Sequence, residues 1–182
     1  MVHKQAGIGA AALGFLLSIT QYSQGYVTAR LVSEDWSWFP QLESTAETLV
    51  LYTHLTDGLI FVLGVVGVFL LGYWLGERLH LGREYRPYVT WVAGGGVAGY
   101  LLPLVLALGV LVVTGLLEGA DPFAFVPRVS GLDAVVIAGR FVAIPIQFAI
   151  AGFAGAAFAR LAGEADDGER AGTEPISSGP SE

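Results

Sequence analysis

The length and composition of this chain indicate a membrane protein. Of its 182 residues, 54% are hydrophobic, 14% are charged and 25 are glycine, which is more apolar than an average soluble domain. About four membrane spans of roughly 20 residues each account for most of the length, and this excludes a separate soluble enzyme domain. Because the chain has no cysteine, disulfides, thiolate zinc sites and iron–sulfur clusters are also excluded.

Four long runs with few or no charged residues predict four membrane-spanning helices, since a helix that faces lipid is apolar all round. We place these helices at about residues 6–29, 49–76, 88–117 and 133–160. Two of the runs are interrupted by a charge, the second at Asp57 and the fourth at Arg140. The predicted fold is therefore an all-α integral membrane protein, in which residues 1–162 form a four-transmembrane-helix bundle.

The distribution of basic residues predicts the orientation of the bundle. Lys4, Arg160, Arg170 and three arginines between the second and third spans lie on the side of the two termini, whereas only Arg30 and Arg128 lie on the other side. Connections rich in lysine and arginine stay in the cytoplasm. We therefore predict a multi-pass protein of the cell membrane with both termini cytoplasmic.

The first apolar run has two interpretations. A short basic start before an apolar stretch is also typical of a cleavable signal peptide. Small residues at every fourth position favour a packed helix instead: Ala6, Ala10, Gly14 and Ser18. Comparable small residues occur in the other three spans: Gly72 and Gly76, Gly95 and Gly99, and Ala151, Gly155 and Ala159. We expect these surfaces to join helices within one bundle, with contacts between copies of the chain as the alternative.

A second glycine pattern, GxGxxG at Gly94, Gly96 and Gly99, matches the dinucleotide-binding fingerprint. That fingerprint works at a turn between a strand and a helix, but here it lies inside a membrane run. We therefore expect this pattern to bind no dinucleotide.

The last twenty residues are predicted to be a disordered acidic tail. Residues 163–182 contain six acidic residues and one arginine, are rich in Gly, Ser and Pro, and have little apolar surface to stabilise a fold. Their charge accounts for most of the net charge of −7, and no basic stripe exists elsewhere to bind nucleic acid. An acidic chain with one lysine also fits a halophile, although biased genomic base composition would have the same effect.

The ionisable residues inside the spans are the strongest functional signal, because a charge at the centre of a bilayer costs several kcal/mol unless it is paired, hydrated or functional. Asp57 and Arg140 each lie eight residues, or about 12 Å, from the predicted external start of their span. Opposite charges at matched depth predict an intramembrane ion pair.

Four further side chains complete a predicted polar cluster in the external half of the bundle: His54, Gln147, Gln21 and Tyr22. The first two lie on the helical faces of the charged pair, and the last two continue the small-residue face of the first span. Pro103 and Pro145 lie inside the third and fourth spans, where each removes a helical hydrogen bond. We expect a helix kink at each proline, either static or as the hinge of a moving element.

Several functions remain open for this cluster. The pair formed by Asp57 and Arg140 would fix the helix register, or the cluster would form a path in which Asp57 and His54 exchange protons or bind a cation and Arg140 recognises an anion. A metal site lacks ligands beyond His54 and Asp57, haem lacks histidines, and no nucleophile elbow indicates a serine hydrolase. We expect no catalytic residue, no metal and no cofactor.

The function predicted from these residues is a non-enzymatic accessory or assembly subunit of a membrane complex. The alternative is a small oligomeric ion, proton or solute transporter or channel. The expected partners are the lipid bilayer and either further copies of the chain or other membrane subunits, without nucleic acid.

Overall fold

The computed structural model describes residues 2–33, 42–76, 78–79, 81–117 and 131–172. Within these ranges the chain is helical and contains no strand. The helices are α1 (Val2–Val32), α2 (Thr45–Phe61), a π-helix (Val62–Gly67), α3 (Val68–Gly76), α4 (Leu81–Leu117) and α5 (Gly131–Gly172). Helix α2, the π-helix and α3 follow one another without a break and together form the second predicted span.

Four helical stretches are long and apolar enough to cross a membrane, which agrees with the predicted number. They are Val2–Val32, Thr45–Gly76, Glu84–Leu117 and Ala138–Ala165. We call the end of the bundle where α1 begins and α5 finishes the terminal end, and the end where α1 finishes and α2 begins the distal end.

The second span contains the one element that its sequence pattern did not predict, the π-helix at Val62–Gly67. Three valines and two glycines make up five of its six residues, and both residue types have a lower α-helix propensity than alanine or leucine. The wider turn of a π-helix displaces the side chains that follow it, and such turns are frequent at functional sites.

The helices pack as two parallel pairs. Gly7 of α1 lies against Trp91 of α4, and Gly14 lies against Gly96 further along both helices, so α1 and α4 run in the same direction. Helices α3 and α5 also run in the same direction. Gly72 lies against Gly152, and Gly76 lies against Ala156 further along both helices. The first span therefore pairs with the third, and the second span pairs with the fourth.

Small residues make these close approaches possible. A Cβ atom on Gly99 would overlap the carbonyl of Ala11, and one on Gly155 would overlap the carbonyl of Phe69. The face of α1 predicted from its small residues is buried at all four positions: Ala6, Ala10, Gly14 and Ser18. The prediction that small residues join helices within one bundle is confirmed. Of the remaining motif glycines, Gly96 lies against the ring of Phe148, whereas a Cβ atom on Gly94 would meet nothing within 4 Å.

The outer surface of the bundle is as apolar as its core. The core includes Val68, Tyr88 and Phe148, each fully buried. Large apolar side chains on the opposite faces are mostly exposed, as at Ile8 (71%) and Leu55 (64%). Apolar side chains therefore cover much of the outer surface as well as the core.

Helix α5 is longer than predicted. It continues to Gly172, so residues 163–172, for which the composition predicts disorder, are helical, and residues 173–182 lie outside the described residues. Arg160 and Glu164 stabilise this extension with an i,i+4 ion pair in which Nε and Oε1 are 2.9 Å apart. Alanines at Ala162 and Ala165 add high helix propensity, which outweighs the acidic composition of the segment.

Candidate functional site

The polar cluster is built around a hydrogen bond between α1 and α4 in the distal half of the bundle. The Oη of Tyr100 donates to Oε1 of Gln21 over 2.7 Å. The sequence singled out Gln21 but not Tyr100. Tyr100 directly follows Gly99, which packs against Ala11 of α1, but no pattern in the sequence marks its hydroxyl as the partner of Gln21.

Arg140 lies on α5 in the distal half of the bundle. It is one helical turn before the buried Ile144, and its own side chain is exposed. The neighbouring Phe141 ring meets the Tyr100 ring edge-on, with the ring centroids 6.4 Å apart. Tyr100 therefore contacts α5 through its ring and α1 through its hydroxyl.

Gln147 lies deeper, where the fourth span meets the π-helix of the second. A Cβ atom on Gly64 would stand 2.7 Å from Nε2 of Gln147 and 2.9 Å from Cδ1 of Leu17. The absence of a side chain at Gly64 therefore makes room for the Gln147 amide and the Leu17 methyl groups at one point. This contact among α1, the π-helix and α5 was not visible in the sequence.

Asp57 and His54 do not join this group. Both side chains are exposed, whereas the bundle-facing side of α2 is marked by the buried Thr48 and Thr56. Asp57 follows Thr56 by one residue and is rotated about 100° from that face, and His54 points away from it. The second span therefore presents its two ionisable side chains to its surroundings.

The structure does not place Asp57 against Arg140. Within the described ranges, ion pairs join His3 to Glu84 and Arg160 to Glu164, and none joins Asp57 to another residue. The predicted pair depended on matched depth along two spans, and depth carries no information about helix rotation. Arg140 is exposed on α5 one turn before the buried Ile144, and Asp57 is exposed on the flank of α2.

Ser18 is a polar residue buried within the bundle. Its side chain is 0% exposed, and its Oγ has no hydrogen-bond partner among the described groups. The hydroxyls of Thr48 and Thr56, by contrast, donate to carbonyls four residues earlier, at 3.0 Å and 2.8 Å. Ser18 lies one turn before Gln21 and Tyr22 and so beneath the polar cluster.

The two prolines lie inside helices that continue past them. Pro103 lines an open groove between α1 and α4, and Pro145 lies between Ile144 and Gln147 on the bundle side of α5. The predicted kinks remain predictions.

No three His, Asp or Glu side chains gather as metal ligands among the residues described.

The chain matches no protein-family model, no curated protein and no solved structure at a level that indicates relationship. What the arrangement can do must therefore be argued from the residues themselves.

Proposed function

We propose that this chain is a non-enzymatic accessory or assembly subunit of a membrane complex, and that the partner binds the outer face of α2. The observation that supports this proposal is the exposed Asp57, which has no ion-pair partner in the described part of the chain. It lies twelve residues after Thr45, or about 18 Å along the helix.

A carboxylate at this position is energetically unfavourable unless a polar or basic group pairs with it. If the four apolar helices cross a membrane, with both termini in the cytoplasm as the basic residues indicate, Asp57 faces hydrocarbon deep inside the membrane. An exposed charge there costs several kcal/mol, and a basic or hydrogen-bonding group on a neighbouring helix removes that cost. His54, one turn away on the exposed side of α2, adds a second polar contact for the same partner.

Purification from native membranes in mild detergent, followed by native mass spectrometry, tests the proposal. We expect a stoichiometric second membrane protein with the wild-type chain, and its loss with Asp57→Asn while the variant stays folded. Glu47→Gln is the matched control, since it makes the same chemical change on the same helix at an exposed position nearer the distal end. A wild-type chain that purifies alone, or a partner that survives Asp57→Asn, contradicts the proposal.

A small oligomeric transporter is the second candidate. It is supported by the polar interior, in which the buried Ser18 hydroxyl lies beneath the hydrogen bond of Tyr100 to Gln21 and the exposed Arg140 stands nearby. Reconstitution into vesicles and measurement of ion and solute flux separates the two functions. A flux that is lost in Arg140→Gln and retained in Asp57→Asn favours transport.

A further inference from the structure

Two exposed charges of opposite sign lie in the second and fourth spans. The carboxylate of Asp57 on α2 and the guanidinium of Arg140 on α5 are both exposed, and neither makes an ion pair within the described ranges. A charge among apolar side chains in a membrane is strongly unfavourable unless a charged or polar group covers it. In a membrane, we therefore expect both charges to be covered from outside the chain.

The packing of the second span on the fourth places these two charges at the same level. A Cβ atom on Gly64 would stand 2.7 Å from Nε2 of Gln147, so these two residues mark one level of the bundle. Asp57 lies seven residues before Gly64. Arg140 lies seven residues before Gln147, and seven residues advance a helix by about 10 Å. Because the second and fourth spans run in the same direction, both charges lie at matching depth on the distal side of that contact.

Small exposed residues stand beside each charge. On α2, Gly58 directly follows Asp57. On α5, Gly139 directly precedes Arg140, and Ala143 is exposed one turn further on. Both glycines are exposed, and a Cβ atom on either would meet nothing within 4 Å. Small residues on the surface of a helix let a second helix approach closely in lipid, so both charged surfaces suit a close helix contact.

We propose that the chain forms a homo-oligomer in the membrane, in which Asp57 on α2 of one copy forms an ion pair with Arg140 on α5 of the next. Copies inserted in the same orientation hold the two residues at the same depth. The two surfaces lie on different helices, so a closed oligomer pairs every Asp57 with an Arg140 and leaves neither charge uncovered. The glycines beside the charges allow α2 and α5 of adjacent copies to approach closely.

This inference rests on the proposed function, because it requires a partner at the outer face of α2, and it names that partner. The membrane protein that accompanies the chain in a stoichiometric amount is then a second copy, which Asp57→Asn releases. The inference adds that the partner makes its contact through the surface around Arg140. Arg140→Gln should therefore release the partner as completely as Asp57→Asn does.

Two variants with different tags, expressed together in one membrane, test the ion pair. Asp57→Asn alone and Arg140→Gln alone should each self-associate about thirtyfold or more weakly than the wild-type chain, because each contact keeps one charge without its partner. Expressed together, the two variants should purify through either tag. The carboxylate of one chain then meets the guanidinium of the other, and the remaining contact joins two neutral amides. Glu47→Gln, at an exposed position on the same helix as Asp57, is the matched control and should self-associate as the wild-type chain does.

Cross-linking tests where the copies touch, because the chain has no cysteine of its own. Gly58→Cys in one tagged form and Gly139→Cys in the other should give a disulfide-linked dimer when the membranes are oxidised with copper phenanthroline. Gly109→Cys is the control for Gly139→Cys. Position 109 is exposed and equally open but lies on α4, and it should give little product with Gly58→Cys.

The results that overturn this inference are distinct from those that overturn the proposed function. A single wild-type chain that binds a different membrane protein, released by Asp57→Asn, overturns the inference and leaves the proposed function standing. A monomeric chain without any partner overturns both. Folded variants that do not associate when expressed together, although the wild-type chain self-associates, overturn the pairing of Asp57 with Arg140. An internal disulfide in the double variant Gly58→Cys, Gly139→Cys, without a linked dimer, overturns it in favour of a pair within one chain.

Discussion

The phenol of Tyr100 on α4 and the amide of Gln21 on α1 are joined by a 2.7 Å hydrogen bond, and this bond ties the two parallel helices together beyond the last of their glycine contacts. Interhelical hydrogen bonds between neutral side chains in a membrane contribute about 0.5–1 kcal/mol. The pair therefore adds a modest stability to the contact that α1 and α4 already make through Gly14 and the backbone of Tyr100.

Replacing Tyr100 by Phe is expected to lower the free energy of unfolding by about 1 kcal/mol, because the ring stays and only the hydroxyl is lost. Gln21→Leu removes the acceptor, and the double variant should lose little more than either single variant. Unfolding in mixed detergent micelles measures all three. If the stability lost in the double variant equals the sum of the losses in the two single variants, the two side chains act separately.

Glycine at position 99 is required by the backbone of the neighbouring helix. Gly99→Ala places a Cβ atom on the Ala11 carbonyl, and because backbone atoms cannot yield, α1 and α4 must separate at a loss of about 1–3 kcal/mol. Gly109→Ala is the control, since its Cβ meets nothing within 4 Å and alanine improves helix propensity by up to about 1 kcal/mol. Thermal unfolding in detergent should rank Gly109→Ala at or above the wild-type chain and Gly99→Ala well below it.

Gly64 and Gln147 should show energetic coupling. Gly64→Ala brings a Cβ atom to 2.7 Å from Nε2 of Gln147, but this atom belongs to a flexible side chain that can move aside, so the expected loss of stability is only about 1 kcal/mol. Adding Gln147→Ala should restore most of that loss. If Gly64→Ala is equally destabilising with and without the glutamine, the clash is with Leu17 of α1, the other side chain close to Gly64.

The buried hydroxyl of Ser18 makes a sharper test. Because its Oγ has no hydrogen-bond partner among the described groups, Ser18→Ala should be neutral or stabilising by up to about 1 kcal/mol. Ser18→Val, which adds bulk to a fully buried position, should instead destabilise by about 1–3 kcal/mol. A clear loss of stability in Ser18→Ala would mean that the hydroxyl binds a buried water molecule, and this would favour the transport candidate.

The sequence alone was sufficient to find the four helices and the surfaces through which they touch. A helix needs about 20 predominantly apolar residues to cross a membrane, so the long apolar runs reveal the number and approximate bounds of the four helices that are long and apolar enough to do so. Close helix contacts in lipid require small side chains, so the ladder from Ala6 to Ser18 and the pair Gly72 and Gly76 mark faces that are buried in the bundle.

Only the tertiary structure decided which helices pair and how each is rotated. A helix surrounded by lipid is apolar on its inner and outer faces alike, so no periodicity in the second span distinguishes the exposed side of Asp57 from the buried side of Thr56. The π-helix makes the rotation still harder to predict, because its wider turn changes the direction of the side chains that follow it relative to those before it. Depth along a span follows from counting residues, whereas direction around it depends on the neighbouring helices, and for this reason a matched depth does not bring Asp57 and Arg140 of one chain together as a pair.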